Sequence, residues 1–97
     1  MSNSYDFSSR VVVDPDVLSR VVGDETVILN LKTELYLGLN DTGTRIWTAL
    51  AGARTIQEAY DQVLEEFEVS SDELRTDMQE LLDALVRQRV IEVMPAE

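Results

Sequence analysis

The sequence predicts an α+β domain in which a three-stranded antiparallel sheet is followed by three helices, the layout of a winged helix-turn-helix. Two observations predict this fold class. Segments rich in β-branched residues are confined to the first forty positions, and segments with a helical spacing of apolar residues fill the rest. A length of 97 residues is typical of one domain. We expect a flexible N-terminal arm at residues 1–15 and the domain itself at residues 16–97.

The first two strands are predicted to form a hairpin. Residues 17–22 and 26–31 are both rich in valine, isoleucine and leucine. Gly23 and Asp24 separate them, and a two-residue turn of this kind suits a tight hairpin because glycine adopts positive φ freely. We therefore expect these strands to be antiparallel neighbours.

The third strand is predicted at residues 34–39, after a turn at residues 32–33. Leu35, Leu37 and Leu39 would share one of its faces, since successive side chains in a strand point to opposite sides. The third strand of a meander is an edge, and the unpaired N–H and C=O groups of an edge are either protected or used.

Each predicted helix begins with a capping signal. Asn40 or Asp41 caps the first helix, which ends at Gly52. Thr55 and Ser70 begin the second and third helices, and each is followed three residues later by a glutamate, as in a capping box. The second helix has the clearest helical periodicity of apolar residues in the chain.

The first helix carries the only tryptophan, Trp47. We expect this large side chain to pack at the joint between the first helix and the sheet. The third helix is predicted to run to about Arg89, and residues 90–93 to follow as a short extended tail.

The sequence contains neither cysteine nor histidine. This excludes disulfides, thiol and histidine catalysis, and the usual zinc and copper ligands. None of the 19 aspartates and glutamates stands in a recognisable catalytic spacing, so we expect a non-enzymatic protein with no metal site and no cofactor.

No apolar run approaches the roughly 20 residues that span a bilayer, and the N-terminus lacks the features of a signal peptide. We expect a cytoplasmic protein with no membrane partner.

The formal net charge is −11. Between Thr55 and Asp83 there are ten acidic residues and one basic residue, Arg75. Such a surface repels nucleic-acid phosphates and anionic lipids, and it either attracts a basic partner or only solvates the protein. The predicted layout also suits DNA binding, but the third helix would place acidic residues where phosphate contacts are required. We therefore expect no nucleic-acid partner.

A series of short motifs extends from the second strand into the first helix. They are VILNLKT at residues 27–33, Tyr36, Leu39-Asn40, Gly43 and Ile46-Trp47. This pattern resembles the PqqD-like family of peptide-binding domains, also called precursor-peptide recognition elements, and the similarity covers about residues 16–93. Two positions depart from the family: Glu34, where glycine is often found, and Asn30, where aspartate is frequent.

The resemblance implies a protein that binds the leader of a ribosomally made precursor peptide and presents it to modifying enzymes. The pattern is most similar to the stand-alone proteins of lasso-peptide biosynthesis, whose partners are a leader-cleaving cysteine protease and an ATP-dependent, macrolactam-forming cyclase. One alternative is a PqqD-type chaperone for a radical enzyme in quinone-cofactor biosynthesis. Another is an adaptor without a peptide ligand, or a homodimer joined through the edge strand or the third helix.

The resemblance also implies where the peptide binds, because in the family the leader adds to the third strand and lies against the third helix. On the edge strand the expected contacts are Glu34, Leu35, Tyr36 and Leu37. On the third helix they are Leu74, Asp77, Met78, Leu81, Leu82 and Leu85. The apolar residues of that helix span an arc of about 140°, more than the ~100° of a core-facing helix, so part of the arc would line a groove. A wide core contact or a dimer seam is the alternative.

Three of these expectations concern single side chains. Asp77 would accept an ion pair from a basic residue of the peptide, and Tyr36 would either cover the peptide or pack beneath the sheet. Changing Leu37, Met78 or Leu81 to aspartate is predicted to abolish binding and to leave the helix content intact.

Overall fold

A computed structural model describes residues 5–95. In order, its elements are β1 (Arg10–Val13), β2 (Val17–Val22), β3 (Glu25–Asn30), β4 (Leu35–Leu39), α1 (Asp41–Gly52), α2 (Ile56–Glu66), α3 (Ser71–Arg87) and β5 (Ile91–Met94). The three-stranded sheet followed by three helices confirms the α+β prediction. The winged helix-turn-helix name for this layout stays a prediction. A second, two-stranded sheet made of β1 and β5 was not predicted as such.

The larger sheet has the strand order β2-β3-β4 and is antiparallel throughout. Gly23 adopts a φ of 65°, and the turn that it forms with Asp24 pairs Val22 with Glu25. The predicted hairpin is therefore confirmed, with β3 beginning one residue earlier than expected. Burial in β3 alternates, and its inward-facing residues Thr26, Ile28 and Asn30 are at most 1% exposed.

A turn organised by Asn30 connects β3 to β4. The Asn30 side-chain oxygen accepts hydrogen bonds from the backbone N–H groups of Lys32 at 2.9 Å and Thr33 at 3.3 Å. The N–H of Glu34 donates to the Asn30 carbonyl at 2.7 Å. Glu34 has a φ of 60°, in the left-handed region, which is incompatible with a strand. β4 therefore begins at Leu35, and Glu34 lies in the turn and not in the strand as predicted.

All three helices begin with the predicted side-chain caps. Asn40 is the cap of α1, and its side chain accepts from the Gly43 N–H at 2.8 Å. Thr55 and Ser70 cap α2 and α3 in the same way, each accepting at 3.1 Å from the backbone N–H three residues later. α3 ends at Arg87, two residues before the predicted end, because Arg89 has a φ of 58° and turns the chain towards β5.

The core lies between the inner face of the larger sheet and the three helices. Trp47 is only 6% exposed and belongs to this core, as expected. The hydroxyl of Thr26 in β3 donates to the hydroxyl of Thr44 in α1 at 2.8 Å, and both residues are buried. This bond adds a polar tie between sheet and helix inside an otherwise apolar interior.

The N-terminal segment packs along the domain. Strand β1 pairs antiparallel with β5. Phe7 is 6% exposed, with its ring centroid 5.4 Å from that of Tyr60 in α2. The carbonyls of Phe7 and Ser9 accept hydrogen bonds from the first N–H groups of α2, at 2.7 Å and 2.9 Å. Residues 5–13 thus have defined partners, which differs from the flexible arm predicted for residues 1–15. Residues 1–4 of that arm lie outside the described part of the chain.

Candidate functional site

A groove of about 370 Å³ lies between β4, the first turns of α1, and α3. Residues 37–40 form one wall, and Thr42, Gly43 and Ile46 of α1 form the end. The opposite wall consists of Asp77, Glu80, Leu81 and Ala84 of α3. The groove therefore combines a backbone strand on one side with a helix surface on the other.

The strand wall is the free edge of the sheet. β4 pairs with β3 along one edge, from Leu35 opposite Asn30 to Leu39 opposite Thr26. Within residues 5–95, no strand pairs with the other edge of β4. An unpaired edge presents N–H and C=O groups in the spacing that a further strand requires. The groove beside β4 is thus a place where an extended peptide can both pair with the backbone and insert side chains.

The helix wall is divided between the groove and the core. Leu81 and Ala84 are partly buried and line the groove, together with the partly buried Asp77. Four neighbouring residues of α3 point into the core and are at most 1% exposed: Leu74, Met78, Leu82 and Leu85. These four were predicted to contact a peptide. The structure gives them no surface on the groove, so they support its wall from behind.

The two walls are joined by the Asn30 side chain, which is 1% exposed. Its Nδ2 group donates to the carbonyls of Gln88 at 3.2 Å and Arg89 at 3.0 Å, just after α3. Its Oδ1 atom holds the turn before β4. Because one side chain binds both the end of α3 and the turn into β4, Asn30 fixes the separation of the two groove walls at that end.

The opposite end of the groove depends on Gly43. A Cβ atom on this residue would lie 3.2 Å from the Cβ of Leu39 and 3.4 Å from the cap oxygen of Asn40. The absence of a side chain thus allows α1 to begin directly against the end of β4. A side chain at this position, three residues after the capping residue, would require Leu39 or Asn40 to shift by a few tenths of an ångström.

Only three of the predicted site residues line the groove: Leu37, Asp77 and Leu81. Leu35 is 51% exposed at the start of β4. Tyr36 is 69% exposed and pairs with Leu29 on the outer face of the sheet, away from the buried Ile28. Tyr36 therefore does not pack beneath the sheet, and Glu34 lies in the turn outside the lining.

A search of curated proteins finds no match to the chain. The family profile described as Coenzyme PQQ synthesis protein D (PqqD) matches residues 25–91, more than half of the sequence. The chain belongs to the PqqD family. The matched residues include β4, α1 and α3, and therefore every wall of the groove.

Two solved structures share the PqqD-family fold of this chain. One is described as TbiB1 in complex with the TbiA(beta) leader peptide; it has 31% sequence identity and a TM-score of 0.74, over 82% of this chain and 93% of that chain. The other is lasso peptide synthetase B1 complexed with the leader peptide, with 20% identity and a TM-score of 0.69, over 89% and 99% of the two chains. The second likeness concerns the fold only.

Several groove residues were missed as site residues by sequence analysis. Leu39, Asn40, Gly43 and Ile46 were noted as motifs that resemble the PqqD family, and Leu39 and Asn40 also as a strand residue and a helix cap, but none was predicted to line the site. Their positions could have predicted that they line the groove, because a capped helix that begins directly after an edge strand places its first turn beside the end of that strand. Gly38, Thr42 and Glu80 gave no such signal, whereas Ala84 gave one, because a small side chain beside the apolar stripe of the third helix lets another backbone approach.

None of the helices within residues 5–95 has both the length and the apolar character needed to cross a membrane. The same residues contain no group of three or more acidic, histidine or cysteine side chains that could hold a metal ion.

Proposed function

We propose that this chain binds the leader segment of a ribosomally synthesised precursor peptide by strand addition to β4. The observation that carries this proposal is the free edge of β4 facing a groove walled by α3. It is supported by the likeness to TbiB1, which is 31% identical to this chain and was solved with a leader peptide.

In this geometry, general affinity for a peptide and preference for a particular peptide sequence would come from different parts of the groove. Backbone hydrogen bonds to β4 would supply affinity that depends little on the peptide sequence. Alternate side chains of the bound segment would enter the groove, where Leu37, Ile46 and Leu81 offer an apolar surface. The small Ala84 allows the peptide backbone to approach α3 closely. Sequence preference would therefore come from the side chains facing α3.

The bound leader would be presented to enzymes, without chemistry on this chain. We infer a lasso-peptide pathway in the cytoplasm, with a leader-cleaving cysteine protease and an ATP-dependent cyclase as partners. Tethering the leader raises the local concentration of the precursor at these enzymes, an effect that requires no catalytic residue. The second candidate is a chaperone for a radical enzyme that processes a quinone-cofactor precursor; the family description, Coenzyme PQQ synthesis protein D, supports it less than the leader-peptide complexes support the first.

A different observation favours self-association as a second candidate function. The outer face of the larger sheet exposes apolar side chains, including Leu18 at 57%, Val22 at 60% and Tyr36 at 69%. Large exposed apolar patches commonly mark protein interfaces. A net charge of −11 on each copy opposes a homodimer. Sedimentation equilibrium distinguishes a monomer from a homodimer, because the measured mass of a dimer would rise with concentration to twice the 11.0 kDa of one chain.

Leader binding is tested by NMR titration with the synthetic leader of the precursor encoded beside this gene. We expect amide shifts concentrated at Leu35–Leu39 and at residues 77–84. A larger depression of about 630 Å³, between β1, β5 and the end of α3, provides an internal control. Shifts centred on Val12, Ile91 and Val93 of that depression, or no shifts at leader concentrations well above micromolar, would contradict the proposal.

A further inference from the structure

The charged side chains that line the groove within residues 5–95 are all acidic. Asp77 and Glu80 are the only charged residues in its lining, and no lysine or arginine contributes to it. Three residues apart on α3, the two carboxylates lie on the same side of the helix and repel each other. A positive group between them would remove this repulsion.

Within the described part of the chain, no basic residue pairs with either of these two carboxylates. Within residues 5–95, neither Asp77 nor Glu80 has a hydrogen-bond or ion-pair partner. The nearest bases along α3 are engaged elsewhere. Arg75 stacks over the rings of Phe7 at 4.6 Å and Tyr60 at 5.3 Å, and Arg87 pairs with Asp83 at 3.4 Å.

Lys32, in the turn that precedes β4, is also engaged. Its ammonium group lies 3.3 Å from the Asp16 carboxylate and 3.5 Å from that of Asp14. The hydrogen bond to Asp16 and the two negative charges raise the pKa of Lys32. The acidic pair in the groove therefore has no counter-charge within the fold.

The position of the pair along the groove follows from Asn30. Asn30 stands opposite Leu35 in the sheet and binds the Gln88 carbonyl, so the end of α3 lies beside the start of β4. Asp77 and Glu80 precede Gln88 by eleven and eight residues, which is roughly 12–16 Å along a helix. α3 thus runs antiparallel to β4, and the acidic pair lies towards Leu39.

The first turn of α1 is at the same end of the groove and has the opposite polarity. A helix N-terminus carries a partial positive charge of about half a unit, which favours anions. Asp41 in that turn pairs with Arg45 at 2.9 Å, so these two side chains add no net charge. The two full negative charges of Asp77 and Glu80 outweigh the partial charge of the helix end. The net field at this end of the groove therefore favours a cation.

Resting on the proposed function, we infer that the groove selects leader segments with a lysine or arginine at the end of the bound strand that lies beside Leu39. Asp77 and Glu80 would hold this side chain, while Leu37 and Leu81 accept apolar residues closer to the other end. The acidic pair is therefore a determinant of peptide specificity and of peptide direction, since a strand bound in reverse would place its basic residue at the wrong end.

A double-mutant cycle tests this inference. The binding of the leader encoded beside this gene is measured by calorimetry, with the native peptide and with peptides in which each lysine or arginine is changed to glutamine. The protein variants are Asp77→Asn/Glu80→Gln and a control, Asp24→Asn/Glu65→Gln, which removes the same charge from exposed positions outside the groove.

We expect the groove variant to bind the native leader about three- to tenfold more weakly than the control, and less so at high salt. The difference should vanish for one peptide, the one without the basic residue beside Leu39. Equal binding by both variants, a loss that persists in every peptide, or tight binding of a leader without lysine and arginine would overturn the inference. Wild-type protein that fails to bind the leader would overturn the proposed function itself.

Discussion

Asn30 shows how one residue can define a site that it does not line. Its amide group donates to two carbonyls after α3, and its oxygen accepts from two N–H groups of the turn before β4. The resemblance to PqqD-like proteins suggested aspartate at this position, but a carboxylate at neutral pH has no proton to donate. In this chain the asparagine amide satisfies two carbonyls that an aspartate would leave without a donor.

We predict that Asn30→Asp lowers the free energy of unfolding at pH 7 by about 1–3 kcal/mol, because two partly buried carbonyls lose their donor and face a negative charge on a buried side chain. Asn40→Asp is the matched control. Within residues 5–95 the Asn40 side chain acts only as the acceptor that caps α1, and aspartate caps a helix as well as asparagine does. Urea denaturation followed by circular dichroism measures both. Equal stabilities of the two variants would contradict the role assigned to Asn30.

Glu34 is the second departure from the family pattern. It adopts a φ of 60° in the turn before β4, a conformation that costs an L-residue roughly 1–2 kcal/mol and costs glycine little. The frequency of glycine at this position in the family follows from that geometry. Here the hydrogen bonds of the turn to Asn30 offset the strain of a glutamate.

At the scale of the element, α3 serves two surfaces. The sequence predicted a wide apolar arc on this helix but not where the arc divides. Leu74, Met78, Leu82 and Leu85 form its core side. Leu81, with Asp77 and Ala84 on its flank, forms the groove side. Met78 is completely buried, which argues against the expectation that Met78→Asp leaves the helix content intact.

We predict that Leu81→Asp weakens leader binding about tenfold or more, as loss of a central apolar contact does, while the far-ultraviolet spectrum stays that of the wild type. Met78→Asp should instead unfold the domain, because an unpaired charge would lie in the core. Circular dichroism and peptide titration of both variants make the comparison. A folded Met78→Asp protein, or a Leu81→Asp protein with wild-type affinity, would contradict this division of the helix.

At the scale of the whole molecule, the N-terminal segment (residues 5–13) packs against α2 and α3 and pairs with the last strand. It brings Phe7 onto Tyr60 of α2, places Arg75 of α3 over the Phe7 ring, and pairs β1 with β5 at the far end of the chain. These contacts join residues separated by most of the sequence. They also hold α2 against α3, and α3 forms one wall of the groove.

We predict that Phe7→Ala lowers the free energy of unfolding by about 3 kcal/mol, because a buried ring is replaced by a cavity. Val12→Ala in β1 is the control, since Val12 is 43% exposed and should cost far less. Thermal unfolding of both variants measures the difference. A Phe7→Ala protein as stable as the control would show that the segment contributes little to the domain.

The sequence by itself determined the elements of residues 17–87, within one or two residues at their ends. Hairpin turns, capping side chains and apolar periodicity are local signals, and each is complete within a few neighbouring residues. The pairing of β1 with β5 could not be predicted in this way, because its partners lie about eighty positions apart and each strand has only four residues.

The properties of the candidate site also separate into those that local sequence predicts and those that depend on contacts between distant elements. The sequence determined that the third predicted strand, β4, is an edge, that the third helix has more apolar surface than one contact needs, and that the protein is strongly acidic. Only the tertiary structure decided which residues of α3 face the groove, that Asp77 and Glu80 stand there without a counter-charge, and that Asn30 joins the two walls. Those properties depend on how distant elements pack against each other, and packing sets both the rotation of a helix and the width of a groove.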